Sequence, residues 1–250
     1  MIRACFSLVA IAVLICIFAA TGYGVVIGNF EGGTTDGWDA AFNLTQAGSG
    51  LFPDNSPGFG AAAATTGTYA LNLYSPPVQG VSNNFRWSMV LDNNDIPTLG
   101  ALLISNPLLK MDVTWIHSEW EPSPPSGQDW AKWDTVAVND TTGWEQTGGA
   151  QISDTGNPGF PGSWDATGFP GVHKRTITHN LSAMSINPGG FIQLYLSINY
   201  AGQWPATPTP VGGSFWIDNI RLEAIPEPTS ITLAGIGILA AFRGLRRKVV

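Results

Sequence analysis

The chain of 250 residues contains little cysteine and little charge, and both shortages exclude classes of site. Its two cysteines, Cys5 and Cys16, lie near the N-terminus, so the body between residues 25 and 225 contains no thiol. Disulfides, thiolate zinc sites and cysteine nucleophiles are therefore excluded from the body. Only 12% of the residues are charged, against roughly 25% in an ordinary soluble domain.

Positive charge is scarce and is concentrated at the two ends of the chain. Five of the 11 cations lie in the terminal segments, namely Arg3, Arg243, Arg246, Arg247 and Lys248. The body has six cations against 17 acidic residues, which gives it a formal net charge of −11. Such a surface does not neutralise a phosphate backbone, so binding to nucleic acid is excluded as a function.

Residues 1–24 are typical of a secretory signal peptide. Arg3 supplies a short positive region, residues 6–20 form an uncharged apolar run, and small residues follow. A helix of that length rises about 22 Å, short of the roughly 30 Å hydrocarbon core, which favours a cleaved signal over a permanent span. The alternatives are a buried N-terminal helix or a lipid anchor at Cys16, although Ile15 stands where a lipoprotein signal has a small residue.

The C-terminal segment, residues 225–250, combines three parts in order. Pro226-Glu227-Pro228 precedes an apolar stretch from 229 to 242, and the basic cluster follows it. Because positive residues are retained on the cytoplasmic side of a membrane, the body would lie on the outer side.

This segment resembles the PEP-CTERM sorting signal of Gram-negative bacteria. The resemblance implies Sec export, an inner-membrane intermediate held by the apolar segment, recognition by an exosortase and removal of the tail. The expected destination is the cell surface or an exopolysaccharide matrix. The chain departs from the pattern in its short apolar stretch and in Val249-Val250, which follow the basic cluster. A plain C-terminal membrane anchor is the alternative.

The body, residues 25–224, is predicted to be one all-β sandwich. No nucleotide-binding glycine loop, His-Glu-x-x-His motif or EF-hand spacing occurs, and no internal repeat is present. Short segments rich in Val, Ile, Thr and aromatic residues alternate with clusters of Gly, Pro, Asn and Asp. The predicted strands are 25–31, 38–44, 68–74, 84–91, 110–120, 132–139, 143–152, 172–181, 191–200 and 214–223, with one short helix at 95–105.

Two motifs at the ends of the body carry a second resemblance. GNFEGGTTDGW at 28–38 and FWIDNIRL at 215–222 look like the first and last strands of jelly-roll, galactose-binding-like domains, which include many carbohydrate-binding modules. The resemblance implies an antiparallel jelly-roll-like β-sandwich. It also implies a structural calcium ion held by Glu31 and Asp218, with backbone carbonyls or water completing six to eight oxygens. Alternatively, both carboxylates cap strand ends by accepting loop amides.

The order of the predicted strands suggests where a glycan binds. Because each strand reverses direction, alternate connections emerge at one end, namely 32–37, 75–83, 121–131, 153–171 and 201–213. Three of these connections carry Trp130, Trp164 and Trp204, together with Asp129, Asp154 and Asp165. Indole faces can stack on the apolar faces of sugar rings while carboxylates bind their hydroxyls, so an aromatic-lined polysaccharide site is predicted there. The alternative is that these indoles pack beneath the loops.

The sequence contains one candidate pair of catalytic carboxylates, Glu119 and Glu121. They lie two residues apart in a predicted strand, with His117 in line, and glycoside hydrolases place such pairs about 5–9.5 Å apart. The following proline-rich run places Glu121 in a solvated loop. His179 is predicted to be a strand residue with a hydrogen-bonded ring.

The leading functional hypothesis is therefore a non-catalytic surface or matrix protein that binds glycan or mediates adhesion. A secreted glycan-active hydrolase or lyase is the second hypothesis. A structural matrix protein without a specific ligand is the third.

Overall fold

The computed structural model describes residues 24–55, 63–78, 85–116, 132–147, 150–151, 172–200 and 211–225. Its strands are β1 (Val25–Gly28), β2 (Asp39–Phe42), β3 (Gly50–Asp54), β4 (Ala70–Val78), β5 (Phe85–Asp92), β6 (Leu108–Ile116), β7 (Lys132–Asp140), β8 (Gly143–Gln146), β9 (Ala150–Gln151), β10 (Val172–Asn180), β11 (Ile192–Tyr200) and β12 (Val211–Glu223). One α-helix, α1 (Leu99–Ser105), lies between β5 and β6 in the described chain.

These strands form two antiparallel sheets. Sheet A has the order β10-β6-β12-β4-β3, with β1 paired to β12, and sheet B has the order β2-β5-β11-β7-β8, with β9 paired to β7. The order β4-β12-β6-β10 in one sheet and β5-β11-β7-β8 in the other is the strand order of a jelly roll. The predicted antiparallel jelly-roll-like β-sandwich is confirmed.

The core between the sheets follows from the alternation of side chains along the strands. Ile192, Leu194, Leu196 and Ile198 of β11 are all buried, as their shared face predicts. Residues 25–222 form one compact unit. In the described ranges, no helix is long and apolar enough to cross a membrane. The predicted signal peptide and the apolar tail lie outside the described residues.

Strand β12 is apolar on both faces because both faces are covered. Ile217 belongs to the main core, whereas Trp216, on the opposite face, packs with Ala63 and Ala70 in a small separate cluster. The indole N–H of Trp216 donates a hydrogen bond of 2.9 Å to Asp54.

Two buried polar side chains meet between the sheets. His179 of β10 is hydrogen-bonded through Nε2 to Asp134 of β7, and its Nδ1 lies 3.1 Å from the hydroxyl of Thr147. The prediction that His179 is a strand residue with a hydrogen-bonded ring is confirmed.

The predicted secondary structure departs from the structure at β3, at β8 and β9, and at the helix. It omits β3, because Gly50 and Pro53 both disfavour strands; Pro53 is tolerated since β3 is the edge of sheet A. The predicted strand 143–152 is two short strands, β8 and β9, which both pair with β7. The helix begins at Leu99 rather than at 95, because turns occupy most of the intervening residues.

Four connections join sheet B at the same end. Phe85 of β5, Tyr200 of β11 and Lys132 of β7 pair in one row, and β9 ends beside that row. These strand ends flank the segments 79–84, 117–131, 152–171 and 201–210.

The connection from β1 to β2 lies at the opposite end of sheet B. Strand β2 begins at Asp39, which pairs with Val90 near the far end of β5. The predicted grouping of 32–37 with the other four connections is therefore wrong. The physical reason is β3, which adds one reversal of direction between β2 and β4.

Candidate functional site

The outward face of sheet B carries three aromatic rings in mutual contact. The ring centroids of Trp144 on β8 and Tyr195 on β11 lie 4.9 Å apart. The ring of Phe42, at the end of β2, lies 5.7 Å from Tyr195 and 6.4 Å from Trp144. Phe42 is 46% exposed and Trp144 is 43% exposed. We call these three residues the aromatic cluster.

The strand register brings Trp144 and Tyr195 together over a small side chain. Trp144 pairs with Asn139 of β7, and Tyr195 pairs with Ala137, two residues away on the same strand. Diagonal neighbours on one face of a sheet lie within reach of aromatic side chains. Because Ala137 has only a methyl group, the two rings can meet across it.

Phe42 reaches this face through an unusual backbone conformation. It pairs with Trp87, whose side chain is fully buried in the core, so regular alternation would direct Phe42 inward. Its φ of 51° lies in the left-handed region, where a bulky residue is a rare outlier. Strain of this kind costs about 1–3 kcal/mol and clusters at functional sites.

Arg86 of β5 lies beside the aromatic cluster. Its Cζ atom is 4.9 Å from the centroid of the Phe42 ring, within the range of a cation–π interaction. No carboxylate of the described residues forms an ion pair with Arg86. Its guanidinium can donate hydrogen bonds to a ligand.

A short chain of polar groups borders the aromatic cluster. The hydroxyl of Tyr195 donates a 2.8 Å hydrogen bond to Oε1 of Gln193, which also accepts from Nδ2 of Asn139 at 3.1 Å. Burial, and then the charge of Asp92, raise the pKa of Tyr195 above its usual 10.0. The phenol is protonated at neutral pH and can both donate and accept.

The glycan site predicted from the loops and the candidate carboxylates lie outside the described residues; they are Trp130, Trp164, Trp204, Asp129, Asp154, Asp165, Glu119 and Glu121. In sheet B, the strand ends next to the three connections that contain these tryptophans are those of β7, β9 and β11, at the shared end.

Sequence reasoning missed all three rings of the cluster and Arg86. One signal was readable: Tyr195 alternates with the buried leucines of β11 and therefore faces outward. The positive φ of Phe42 and the meeting of Tyr195 with Trp144 across β7 left no pattern in the sequence.

Glu31 caps the segment that leads into β4. Its carboxylate accepts the N–H of Thr68 at 2.8 and 2.9 Å and the N–H of Tyr69 at 2.9 Å. These bonds tie the connection after β1 to the start of a central strand.

Asp218 of β12 caps the same segment from the other side. Its Oδ2 accepts the N–H groups of Thr65 and Thr66 at 2.7 and 2.8 Å. The hydroxyl of Thr65 lies 2.9 Å from this atom and 2.7 Å from Oδ2 of Asp112. Asp218 is almost completely buried, so these donors compensate its lost hydration.

The surroundings of Glu31 and Asp218 bear on the predicted calcium ion. Both carboxylates already accept backbone amides, whose positive ends point at lone pairs that a cation would use. In the described part of the chain, no group of three or more His, Cys, Asp or Glu side chains could hold a metal ion. Calcium takes six to eight oxygens, so most ligands would have to be carbonyls or water. Calcium at Glu31 and Asp218 stays a prediction.

The C-terminal segment has a counterpart among known protein families. Residues 224–248 match the PEP-CTERM protein-sorting motif. The predicted sorting signal is confirmed. The motif indicates export, processing by an exosortase and a surface location in Gram-negative bacteria. It spans about a tenth of the chain and therefore describes the sorting segment rather than the body.

Comparison with curated proteins gives no match, whereas several solved structures are similar to the chain. A carbohydrate-binding module specific for non-crystalline cellulose is 15% identical, with 82% of this chain and 97% of that chain covered and a TM-score of 0.47. A module with specific mannan recognition is 13% identical, with 80% and 94% covered and a TM-score of 0.41. The K2 cleaved adhesin domain of Lys-gingipain is 10% identical, with 82% and 99% covered and a TM-score of 0.41. At these values, what this chain binds has to be argued from its own side chains.

Proposed function

We propose that the chain is an exported surface or matrix protein whose aromatic cluster binds a polysaccharide without transforming it. The observation that carries this proposal is the contact among the rings of Phe42, Trp144 and Tyr195 on the outer face of sheet B. Two of these large rings are nearly half exposed, although water is a poor environment for them. A sugar ring offers an apolar C–H face of suitable size to cover them.

The polar groups beside the cluster supply the second half of a sugar site. The hydroxyl of Tyr195 and the amides of Gln193 and Asn139 form a connected chain. Such groups can exchange hydrogen bonds with sugar hydroxyls, which fixes the orientation of a ring stacked on the cluster. They sit on strands rather than on loops, so they are already positioned before a ligand arrives.

The loop tryptophans remain part of the proposal as a second contact region. Trp130, Trp164 and Trp204 belong to connections that adjoin β7, β9 and β11 at one end of sheet B.

The route to the surface is proposed from the two terminal segments. Residues 1–24 act as a cleaved signal for Sec export, and the apolar tail holds an inner-membrane intermediate until an exosortase removes it. The body is then released to the cell surface or to the exopolysaccharide matrix of a Gram-negative bacterium.

Affinity electrophoresis in gels containing neutral and acidic polysaccharides tests the proposal. We expect the wild-type chain to be retarded by at least one polysaccharide. The Trp144→Ala/Tyr195→Ala variant should lose most of that retardation, and the Trp130→Ala/Trp164→Ala/Trp204→Ala variant should lose part of it. Equal retardation of wild type and the Trp144→Ala/Tyr195→Ala variant, with both folded, would reject the cluster as a binding site.

The same preparation separates the remaining hypotheses. Release of reducing sugar by the wild type, abolished by Glu119→Gln/Glu121→Gln, would favour the enzyme. Absence of retardation by every polysaccharide would favour a structural protein without a specific ligand.

A further inference from the structure

We propose that the polysaccharide bound at the aromatic cluster carries carboxylate groups, as polyuronates do, and that Arg86 selects it. This inference rests on the function proposed above and names the substrate class of that same site. It concerns specificity, because Arg86 adds a charged contact to rings that would otherwise stack on any pyranose.

The position of Arg86 is fixed by its strand and by the ring of Phe42. Arg86 pairs with Asn199 of the central strand β11, so its backbone is held within the sheet and not at a free end. Its Cζ lies over Phe42 at 4.9 Å. A guanidinium that lies over a ring keeps the N–H donors at its edge, and this planar fork matches the two oxygens of a carboxylate.

Arg86 also lacks a counter-ion in the described structure. It is the one cation whose side chain is described on the outward face of sheet B, and no described carboxylate pairs with it. Asp92, at the far end of the same strand, accepts hydrogen bonds from Asn94 instead, at 2.7 and 3.0 Å. A half-buried cation that no described carboxylate neutralises is suited to bind an anionic group of a ligand.

The charge of the whole body makes this contact selective. With a net charge of −11, the body repels polyanions at long range, so it has no general attraction for an acidic polymer. Binding to such a polymer has to come from a short-range contact, which Arg86 provides beside the stacking surface.

Isothermal titration of the full-length chain with polygalacturonate, alginate and glucuronan tests the inference. Each polymer is paired with its own carboxyl-reduced, neutral derivative, and dextran sulfate serves as a non-carboxylate polyanion. We expect at least one polyuronate to bind roughly tenfold or more tightly than its reduced derivative and than dextran sulfate. Arg86→Gln should lower the affinity for that polyuronate to about the affinity that the same variant has for the reduced polymer.

Two further measurements keep the inference open to refutation. If Arg86→Gln lowers the melting temperature, Arg86→Lys is measured in its place. Lysine keeps the positive charge but lacks the planar guanidinium fork, so Arg86→Lys should lose most of the preference for the polyuronate. If the chain binds only neutral polymers, and Tyr195→Ala abolishes that binding, the inference is overturned and the proposed function stands. A preference that survives in Arg86→Gln, or dextran sulfate that binds as tightly as the polyuronates, would also overturn it. Absence of binding to every polymer would overturn both proposals.

Discussion

Phe42 and Trp87 pair in the ladder between β2 and β5, yet their side chains lie on opposite faces of sheet B. Trp87 is fully buried, whereas Phe42 is 46% exposed and contacts Tyr195. The φ of 51° at Phe42 turns its side chain to the face opposite that of Trp87. The folded chain therefore holds an energetically costly backbone conformation that presents an aromatic ring to solvent.

This conformation predicts that glycine at position 42 gives a more stable protein than alanine, the reverse of the usual order. Phe42→Gly and Phe42→Ala both remove the ring, and in the folded state they differ mainly in the tolerance of the backbone for a positive φ. We expect Phe42→Gly to have the higher free energy of unfolding, by about 1 kcal/mol, because glycine adopts this region without a steric penalty. Urea denaturation of both variants measures the difference. A more stable alanine variant would show that the backbone at 42 is not strained.

The buried contact between His179 and Asp134 predicts a strong dependence of stability on both partners. His179→Ala leaves the carboxylate of Asp134 buried without its partner, which should lower the free energy of unfolding by about 3–5 kcal/mol. The double variant His179→Leu/Asp134→Leu removes both polar groups and should be less destabilised than His179→Ala. Equal losses in the two variants, measured by urea denaturation, would show that the pair acts only through packing.

Asp140 predicts a loss of stability in acid. The backbone N–H of Asn187, and then the hydroxyl of Thr142, hold the pKa of Asp140 below its usual 3.8. A lowered pKa in the folded state means that the stabilisation is present above the unfolded pKa and is lost as the pH falls through the folded pKa.

Asp140→Asn is the matching variant. At pH 7 it should unfold about 1 kcal/mol more easily, because the charge-assisted hydrogen bonds from Asn187 and Thr142 to the carboxylate become neutral. The difference from wild type should shrink as the pH falls below about 3.8. Denaturation curves at pH 7, 4 and 2.5 measure it, and a constant difference would contradict this role for Asp140.

The proposed calcium ion has a direct test. Calcium should release heat on titration and raise the melting temperature, and Asp218→Asn should abolish both effects. Binding requires the amides that now bond to Glu31 and Asp218 to be exchanged for the ion. No heat and no change in melting temperature, relative to a chelator control, would show that Glu31 and Asp218 do not bind calcium.

Much of the fold could be predicted because the buried strands have strong local patterns. The alternation in β11 and the continuous apolar run in β12 each identify a strand without knowledge of its neighbours. Strand β3 has no such pattern, since Gly50 and Pro53 are acceptable only because the strand lies at an edge. One omitted strand then reversed the predicted position of the connection before β2.

The aromatic cluster could not be predicted because its contacts depend on the sheet and not on spacing in the sequence. Trp144 and Tyr195 are brought together only by the pairing of β8 and β11 with β7. Phe42 joins them through a backbone angle that no residue pattern encodes.

The most direct test of glycan binding at the cluster compares two phenylalanines of similar exposure. Phe42 and Phe52 are 46% and 48% exposed, and Phe52 lies on β3 of sheet A, away from the cluster. Affinities of the Phe42→Ala and Phe52→Ala chains for a retarding polysaccharide are measured by isothermal titration. Glycan binding at the cluster predicts a loss of roughly tenfold or more for Phe42→Ala and wild-type affinity for Phe52→Ala. Equal affinities in both variants would contradict it.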